Sequence, residues 1–263
     1  MKVCVIIPAA GRSSRFGESD KLLQDIGGRP MLIRTVEIFS KRDEVDRIIV
    51  AGPPDDMDRF RERFGATLGF LGAVVVEGGR ADRWETVRNA LVAVPENATH
   101  IAVHDAARPG TEKILLDRLF EAAQSQPAVV PGVRINATVK RISPEVMKVK
   151  ANEEDGIADS ILGGAGRIEI KTSRVLETIS RENLVEIQTP QVFRADLLKR
   201  AYAQNNMDGA TDDASLVERL NEAVYVIDGN PGNIKITTPD DLKLMRAILG
   251  VKPPSQRPAH KQF

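Results

Sequence analysis

The chain has 263 residues, enough for one α/β domain with a substantial core, and its 37 Lys plus Arg balance 37 Asp plus Glu, so it has no overall basic field of the kind that recruits nucleic acid. No apolar run is long enough to cross a bilayer, and a single cysteine excludes an intrachain disulfide framework. A strand-like run starts almost at once and leaves no room for a targeting peptide, so the expectation is a cytoplasmic protein that binds neither nucleic acid nor membrane.

In chain order, Val3-Cys4-Val5-Ile6-Ile7 reads as a buried strand, with Cys4 as a small apolar residue inside it. It opens into Pro8, Ala9, Ala10 and Gly11 and a loop carrying Arg12, Arg15 and Lys21. Small residues let a ligand approach the main chain, loop N–H groups can wrap an anion, and the cations neutralise it, which is the chemistry of a polyphosphate cradle. The spacing is neither a P-loop nor a Gly-x-Gly-x-x-Gly turn. Taken alone, the loop leaves open a polar turn with solvated cations.

Residues 47–51, 73–77, 100–104 and 128–133 read as further buried strands. Between them Leu32, Val36 and Phe39, then Met57, Phe60 and Phe64, then Trp84, Val87, Leu91 and Val94, then Leu115, Leu119 and Ala123 fall at helical spacing. Such alternation predicts an α/β fold with a doubly wound, mainly parallel sheet whose ligand crevice lies at the carboxyl ends of the strands. The first loop, Glu77-Gly78-Gly79 and His104-Asp105-Ala106-Ala107-Arg108-Pro109 all fall at such ends. The three histidines, His100, His104 and His260, have no partners at metal-ligand spacing, so a zinc site is not expected and His104 reads as a structural hydrogen-bonding group.

From 134 to 180 the pattern becomes two extended segments that could pair as a β-arm. The stretch 143–167 between them, acidic around Glu153 and Asp155 and glycine-rich at Gly163, Gly164 and Gly166, is expected to be a long mobile tip. The α/β pattern resumes after Gln191, a helix is expected to start at Thr238-Pro239, and the proline-rich, basic stretch 251–263 reads as a disordered tail. The expectation is therefore one domain over 1–250, arm included.

Three later segments join the first loop: His104 to Pro109; Gln188-Thr189-Pro190-Gln191-Val192-Phe193; and Gly209-Ala210-Thr211-Asp212-Asp213-Ala214-Ser215 with its companion Asn233-Ile234-Lys235-Ile236-Thr237. In this order, over residues 3–249, the chain resembles the 2-C-methyl-D-erythritol 4-phosphate cytidylyltransferases of non-mevalonate isoprenoid synthesis. The resemblance implies a Rossmann-like nucleotidyltransferase that uses CTP, a divalent cation such as Mg2+ and a polyol phosphate, and works as a homodimer through the arm. It implies that Arg15 and Lys21 clamp the triphosphate and that Lys235 closes the site. Pro8, Ala9, Ala10, Gly11, Gly78, Gly79, Thr86, Asp105 and Ala106 would bind the nucleotide, and Asp105, Arg108, Thr138, Arg181, Thr189 and Lys235 the second substrate, with Asp105 also placed to hold the metal. Such a reaction needs no general base, because a phosphate oxygen is already anionic. Catalysis would be positioning and charge stabilisation by cations.

The chain departs from that pattern in four places: one extra residue between Gly79 and Arg83, Thr86 in place of a serine, Ala137 in place of an aspartate, and the longer tip. Plainer readings also stand beside several assignments. Thr86 could cap a helix, Asp105 and Arg108 could form a turn-shaping ion pair, Asp212 and Asp213 could serve only a helix N-terminus, Thr189-Pro190 could be a simple turn, and Thr138 an ordinary surface residue. The rival functions are a ribitol-5-phosphate cytidylyltransferase and a nucleotide-binding regulatory protein without turnover.

Overall fold

The first strand, β1 (Val3–Pro8), is buried on both faces, which is why its sequence is an unbroken apolar run rather than an alternation. Val3, Val5 and Ile7 join one core cluster, and Cys4 and Ile6 join another. Burial pushes the Cys4 thiol up to about 12, so it stays protonated, as a small apolar residue should. A computed structural model describes residues 1–11, 16, 20–149 and 170–252. Arg12 and Arg15, most of the expected tip and nearly all of the expected tail lie outside the described residues.

Strand and helix then alternate as expected: α1 (Met31–Glu37), β2 (Val45–Gly52), α2 (Met57–Phe60) running through a π-helical turn at Arg61–Gly65 into α3 (Ala66–Phe70), β3 (Ala73–Glu77), α4 (Arg83–Leu91), β4 (His100–Val103), α5 (Lys113–Ser125) and β5 (Ala128–Arg134). Contacts divide the chain into two compact units, Met1–Val133 with Ile187–Phe263, and Arg134–Glu186. In the smaller unit β6 (Val139–Ile142) pairs antiparallel with β9 (Val175–Ile179), and β7 (Met147–Val149) with β8 (Ile170–Thr172). The expected hairpin is therefore present. One boundary differs, because β7 lies inside the stretch expected to be a long mobile tip: it pairs with β8 as a second, separate two-stranded ladder in which Met147 stands opposite the β-branched Thr172. A short strand, β10 (Val185–Ile187), leads the chain onward.

The larger unit is completed by β11 (Gln191–Arg194), α6 (Ala195–Tyr202), α7 (Asp213–Glu218), β12 (Tyr225–Asp228) and α8 (Pro239–Ile248). Its strands lie in the order β5-β11-β4-β1-β2-β3, with β12 parallel beside β5. β1 pairs parallel with both β2 and β4, and β2 with β3; β11 runs antiparallel to both β4 and β5, with Gln191 opposite Val103 and Arg194 opposite His100. Leu32 and Val36 of α1 and Leu116, Leu119 and Phe120 of α5 cover one face, while Val87 and Ala90 of α4 and Leu197, Leu198 and Ala201 of α6 cover the other. Each of the larger of these buried side chains, the Leu, Val and Phe, stabilises the fold by roughly 1.5–3 kcal/mol. This is the doubly wound, mainly parallel α/β sheet that the alternation predicts.

A third, smaller cluster, with Ile26, Met31, Ala107, Ile236, Leu242 and Met245, packs α8 beside the carboxyl end of β4. Helix α8 begins as expected: Thr238 accepts from the Asp241 N–H at 3.3 Å, and Asp241 accepts from the N–H groups of Thr237 and Thr238 at 2.8 Å. Val251, expected in the tail, packs against this cluster, so the ordered fold runs past its predicted end.

Candidate active site

The carboxyl ends of β1, β3 and β4 open on one cleft of about 530 Å3, lined by Pro8, Ala9, Ala10, Gly11, Lys21, residues 79–83, Thr86, Asp105, Ala106, Ala107 and Lys235. That volume suits a small-molecule ligand, whose sites run to about 300–1,000 Å3. Two loops meet closely at its floor. A Cβ on Gly78 would sit 2.7 Å from the Cβ of Ala10, so the approach requires a residue without one.

The 78–81 segment is tied from within. Gly78 donates its N–H to Gly52 O at 2.8 Å and receives Asn89 Nδ2 on its own carbonyl at 2.8 Å, while the Gly79 N–H donates to Thr86 Oγ1 at 3.0 Å. The Glu85 carboxylate accepts from the N–H groups of Arg80 and Ala81 at 3.1 and 3.0 Å. Hydrogen bonds from this main chain, that of Ala81 foremost, hold the Glu85 pKa below its ordinary value. The stretch between Gly79 and Arg83 is thus folded around one carboxylate. Thr86 does not cap α4, because Asp82 stands at the cap and Thr86 lies inside the helix.

Asp105 is the first loop residue but one after β4, and its carboxylate faces three cations. Oδ1 lies 3.3 Å from Arg83 Nε; Oδ2 lies 3.0 Å from Lys235 Nζ and 3.4 Å from Arg108 Nε. Burial alone would favour the protonated acid, but Arg83, Lys235 and Arg108 outweigh it and hold Asp105 far below the usual carboxylate range. The Asp105–Arg108 pair anticipated as a turn-shaping bridge exists within this larger set. Arg108 is buried, donates from Nη1 to Asn233 O at 2.6 Å, and is not among the described residues that line the cleft.

Lys21 donates from Nζ to Ile236 O at 3.3 Å, and the Ile236 N–H donates to Ala107 O at 2.9 Å. The first loop, the loop after β4 and the Asn233 to Thr237 segment therefore converge. Thr189 lies behind this junction rather than in the cleft lining. It is buried, its Oγ1 accepts from the Asp105 N–H at 3.0 Å, and it contacts His104 Nδ1 at 3.2 Å. Nε2 of His104 lies 3.1 Å from Arg108 O; a carbonyl can only accept, so Nε2 carries the proton and Nδ1 accepts from the Thr189 hydroxyl. Burial pushes the His104 pKa down to about 4, so it is a neutral structural group, as expected.

Sequence reasoning passes over Arg83 except as the end of a loop. Its Nη2 lies 2.8 Å from Oδ2 of Asp213, an ion-pair contact without hydrogen-bond alignment; the other oxygen of this wholly buried carboxylate accepts from Tyr202 Oη at 2.6 Å. Burial opposes the charge on Arg83, but Asp213 and Asp105 more than offset it and raise its pKa. Asp212 caps α7 through the Ser215 N–H at 3.0 Å, as anticipated, whereas Asp213 does more than meet a helix end. A buried carboxylate needs a cation, which the Thr211-Asp212-Asp213 motif could have signalled, but nothing local says which cation.

Thr138 and Arg181 flank the β6–β9 ladder at one end, both exposed, with Arg181 donating to Asn136 O. The smaller unit thus brings these two expected substrate residues together. Among the described residues no three His, Cys, Asp or Glu side chains gather as a metal site.

The family model described as 2-C-methyl-D-erythritol 4-phosphate cytidylyltransferase (IspD) matches residues 3–161 and 145–251. The enzyme of that name from Frankia casuarinae is 39% identical over 250 residues, covering 94% of this chain and 81% of its own length; that from Symbiobacterium thermophilum is 39% identical over 252 residues, covering 94% and 92%. The crystal structure of 2-C-methyl-D-erythritol 4-phosphate cytidylyltransferase from Thermus thermophilus matches with a TM-score of 0.68 at 31% identity, covering 95% of this chain and all of that one (100%).

Proposed function

The chain belongs to the 2-C-methyl-D-erythritol 4-phosphate cytidylyltransferase family, and from that premise we propose which of its residues carry the transfer of a cytidylyl group from CTP. An anionic phosphate oxygen of the sugar alcohol phosphate attacks the α-phosphorus, the α–β bridging bond breaks, and pyrophosphate leaves with the electron pair. The barrier is the meeting of two polyanions, so the work falls to fixed cations and donors.

The observation that carries the assignment is Asp105 in the cleft with Lys235 at 3.0 Å and Arg83 at 3.3 Å, facing Lys21 and the small residues Ala9 to Gly11. Lys21, with Arg15, clamps the triphosphate above the main chain of Pro8 to Gly11 and Ala106. Lys235 meets the incoming phosphate, with Asp105 fixing its place. Arg108 and Thr189 act on that phosphate through Asp105, which both of them hold. Thr138 and Arg181 contribute to a partner's site in a homodimer. The arm supports this, since a pair of two-stranded ladders is marginal alone and leaves Ile142, Met147, Val175 and Leu176 about half exposed.

Base choice follows from the 78–81 segment. Its N–H groups from Gly78 to Ala81 are spent on Gly52, Thr86 and Glu85, so it offers a ligand chiefly carbonyl oxygens. These accept from the amino group at cytosine N4 and repel the oxygen of uracil. A divalent cation fits the site best on the nucleotide's own phosphates, because both Asp105 oxygens already face cations at 3.0 to 3.4 Å and a metal ligated there would have to displace one. A lone, buried cysteine accords with a reducing cytoplasm, and no helix of the described residues is long and apolar enough to cross a membrane.

Pyrophosphate release is the test. CTP with 2-C-methyl-D-erythritol 4-phosphate should turn over well, ribitol 5-phosphate and UTP poorly. Equal rates with the two polyol phosphates would move the assignment to the ribitol enzyme, and CTP binding without release would leave a regulatory protein.

A further inference from the structure

We propose that Arg83 is a positioning residue for this reaction: it ties the cleft carboxylate Asp105 to a fixed anchor, Asp213, which stands behind the cleft wall. The inference rests on the roles given above to Asp105 and Lys235.

The two oxygens of Asp105 are divided between different partners. Oδ1 faces Arg83 at 3.3 Å, and Oδ2 faces Lys235 at 3.0 Å and Arg108 at 3.4 Å. Lys235 has 41% of its side chain exposed, so it is the member of this set best able to turn toward an arriving phosphate. If it did so with nothing else holding Oδ1, the carboxylate could rotate after it. Arg83 prevents that rotation only if Arg83 is itself fixed, and the structure supplies the means. Its Nη2 lies 2.8 Å from Asp213, whose side chain is 0% exposed, against 28% for Arg83.

Asp213 in turn has no freedom to follow. Tyr202 donates its hydroxyl to Oδ1 at 2.6 Å, and Gln191 Oε1 accepts from the Asp213 and Ala214 N–H groups at 3.1 and 3.0 Å. The chain of contacts runs from α6 through α7 and α4 to the loop after β4, and of its members only Arg83 and Asp105 line the cleft. The guanidinium reaches both carboxylates at once, hydrogen-bonded to Asp105 through Nε and in charge contact with Asp213 through Nη2, a span that the single head of an ammonium does not offer. The arrangement resembles the outer-shell contacts that orient a metal ligand, with a substrate-facing carboxylate in the ligand's place.

The test is steady-state kinetics on the full chain with CTP and 2-C-methyl-D-erythritol 4-phosphate, alongside thermal melts. Asp213→Asn keeps an acceptor for Tyr202 and touches no substrate; it should lower kcat about tenfold, as outer-shell losses do, while KM for CTP stays near wild type. Arg83→Met should show the same split. The double variant should lose no more than Arg83→Met alone, because both act through one contact. Wild-type kcat in folded Asp213→Asn, with only a lower melting temperature, would make the contact structural and overturn the proposal. Losses that multiply in the double variant would also overturn it, since Arg83 would then act on substrate independently of Asp213. If Asp213→Asn does not fold, Tyr202→Phe carries the same test: a lowered kcat with KM for CTP near wild type supports the link and wild-type kcat overturns it. Asp105→Asn separates the two levels. A near-normal rate there would remove the role given to Asp105, whereas an impaired Asp105→Asn beside an unimpaired Asp213→Asn would sink the Arg83 link alone.

Discussion

The hydroxyl of Thr189 stands between the Asp105 N–H, from which it accepts at 3.0 Å, and His104 Nδ1, to which it donates at 3.2 Å. One buried oxygen therefore sets where the loop after β4 leaves the sheet. Thr189→Val keeps the shape and strands both partners, which should lower stability by about 1–3 kcal/mol and cut kcat, while Thr189→Ser should restore both. Urea denaturation and initial rates on the two variants check this. A valine variant as stable and active as wild type would show that the hydroxyl sets nothing.

His104 gives the fold an acid limit. Its native pKa is lowered to about 4 from an ordinary 6.5, chiefly by burial, so between these values the unfolded chain binds a proton that the native chain does not. Stability is complete above about pH 6.5 and is lost as pH falls toward 4, by about 2 kcal/mol between pH 7 and pH 5. Asp105, also lowered, adds its own loss only further into acid. Urea midpoints at pH 7 and pH 5 should show this drop in wild type and a smaller one in His104→Gln. Equal slopes would rule His104 out as the source.

Gly79 is a second sensitive point. A Cβ there would lie 2.3 Å from Glu85 Cβ and 2.8 Å from Thr86 N, so main chain rather than a side-chain tip would have to yield. Gly79→Ala should raise KM for CTP about tenfold or more by displacing the base-facing segment, since misplacement by 1 Å can cost that much. Gly69→Ala, with nothing within 4 Å of the added carbon, is the control and should leave KM unchanged.

How far the sequence announces this site depends on whether a residue's role is local. Buried parallel strands produce apolar runs, so β1 is legible from Val3 onward. β3 is legible as a strand, but at the sheet edge, with no further strand beside it among the described residues, Val74 is exposed and Val75 and Val76 only half-buried. The Thr238-Pro239 start of α8 is legible because its cap is made by its own next turn. Lys21, Asp105 and Lys235 stand in motifs that a sequence reading picks out; the cleft brings them together. Arg83 and Asp213 meet at 2.8 Å only because α4 and α7 both pack on the same side of the sheet, and no periodicity records that. Thr189 and Arg108 stand in motifs too, but their buried placement behind Asp105 is a tertiary fact. The β7 ladder escapes a sequence reading because three residues carry too little pattern to separate a strand from a loop.

The arm makes a prediction about assembly. If Arg181 and Thr138 serve a neighbour's cleft, Lys21→Ala and Arg181→Ala chains should each be nearly inactive yet folded. Mixed, they should recover up to roughly a quarter of wild-type activity, because random pairing makes half the dimers mixed and each mixed dimer holds one intact site. Pyrophosphate release from the mixture, with subunit exchange shown independently, decides the matter. Exchange without recovery would assign the arm to its own chain.

The reversed direction of β11 has a consequence for how this fold tolerates change. A strand that runs against its neighbours delivers its beginning where they deliver their ends, so Thr189, two residues before β11, arrives beside Asp105, just after β4, without any crossover helix. Arg194, at the other end of β11, pairs with His100 at the rim remote from the cleft. Along β11, then, sensitivity to substitution should fall from start to finish, while along β1 and β4 it should rise, so that a saturation map would show the gradient of β11 inverted against those of β1 and β4.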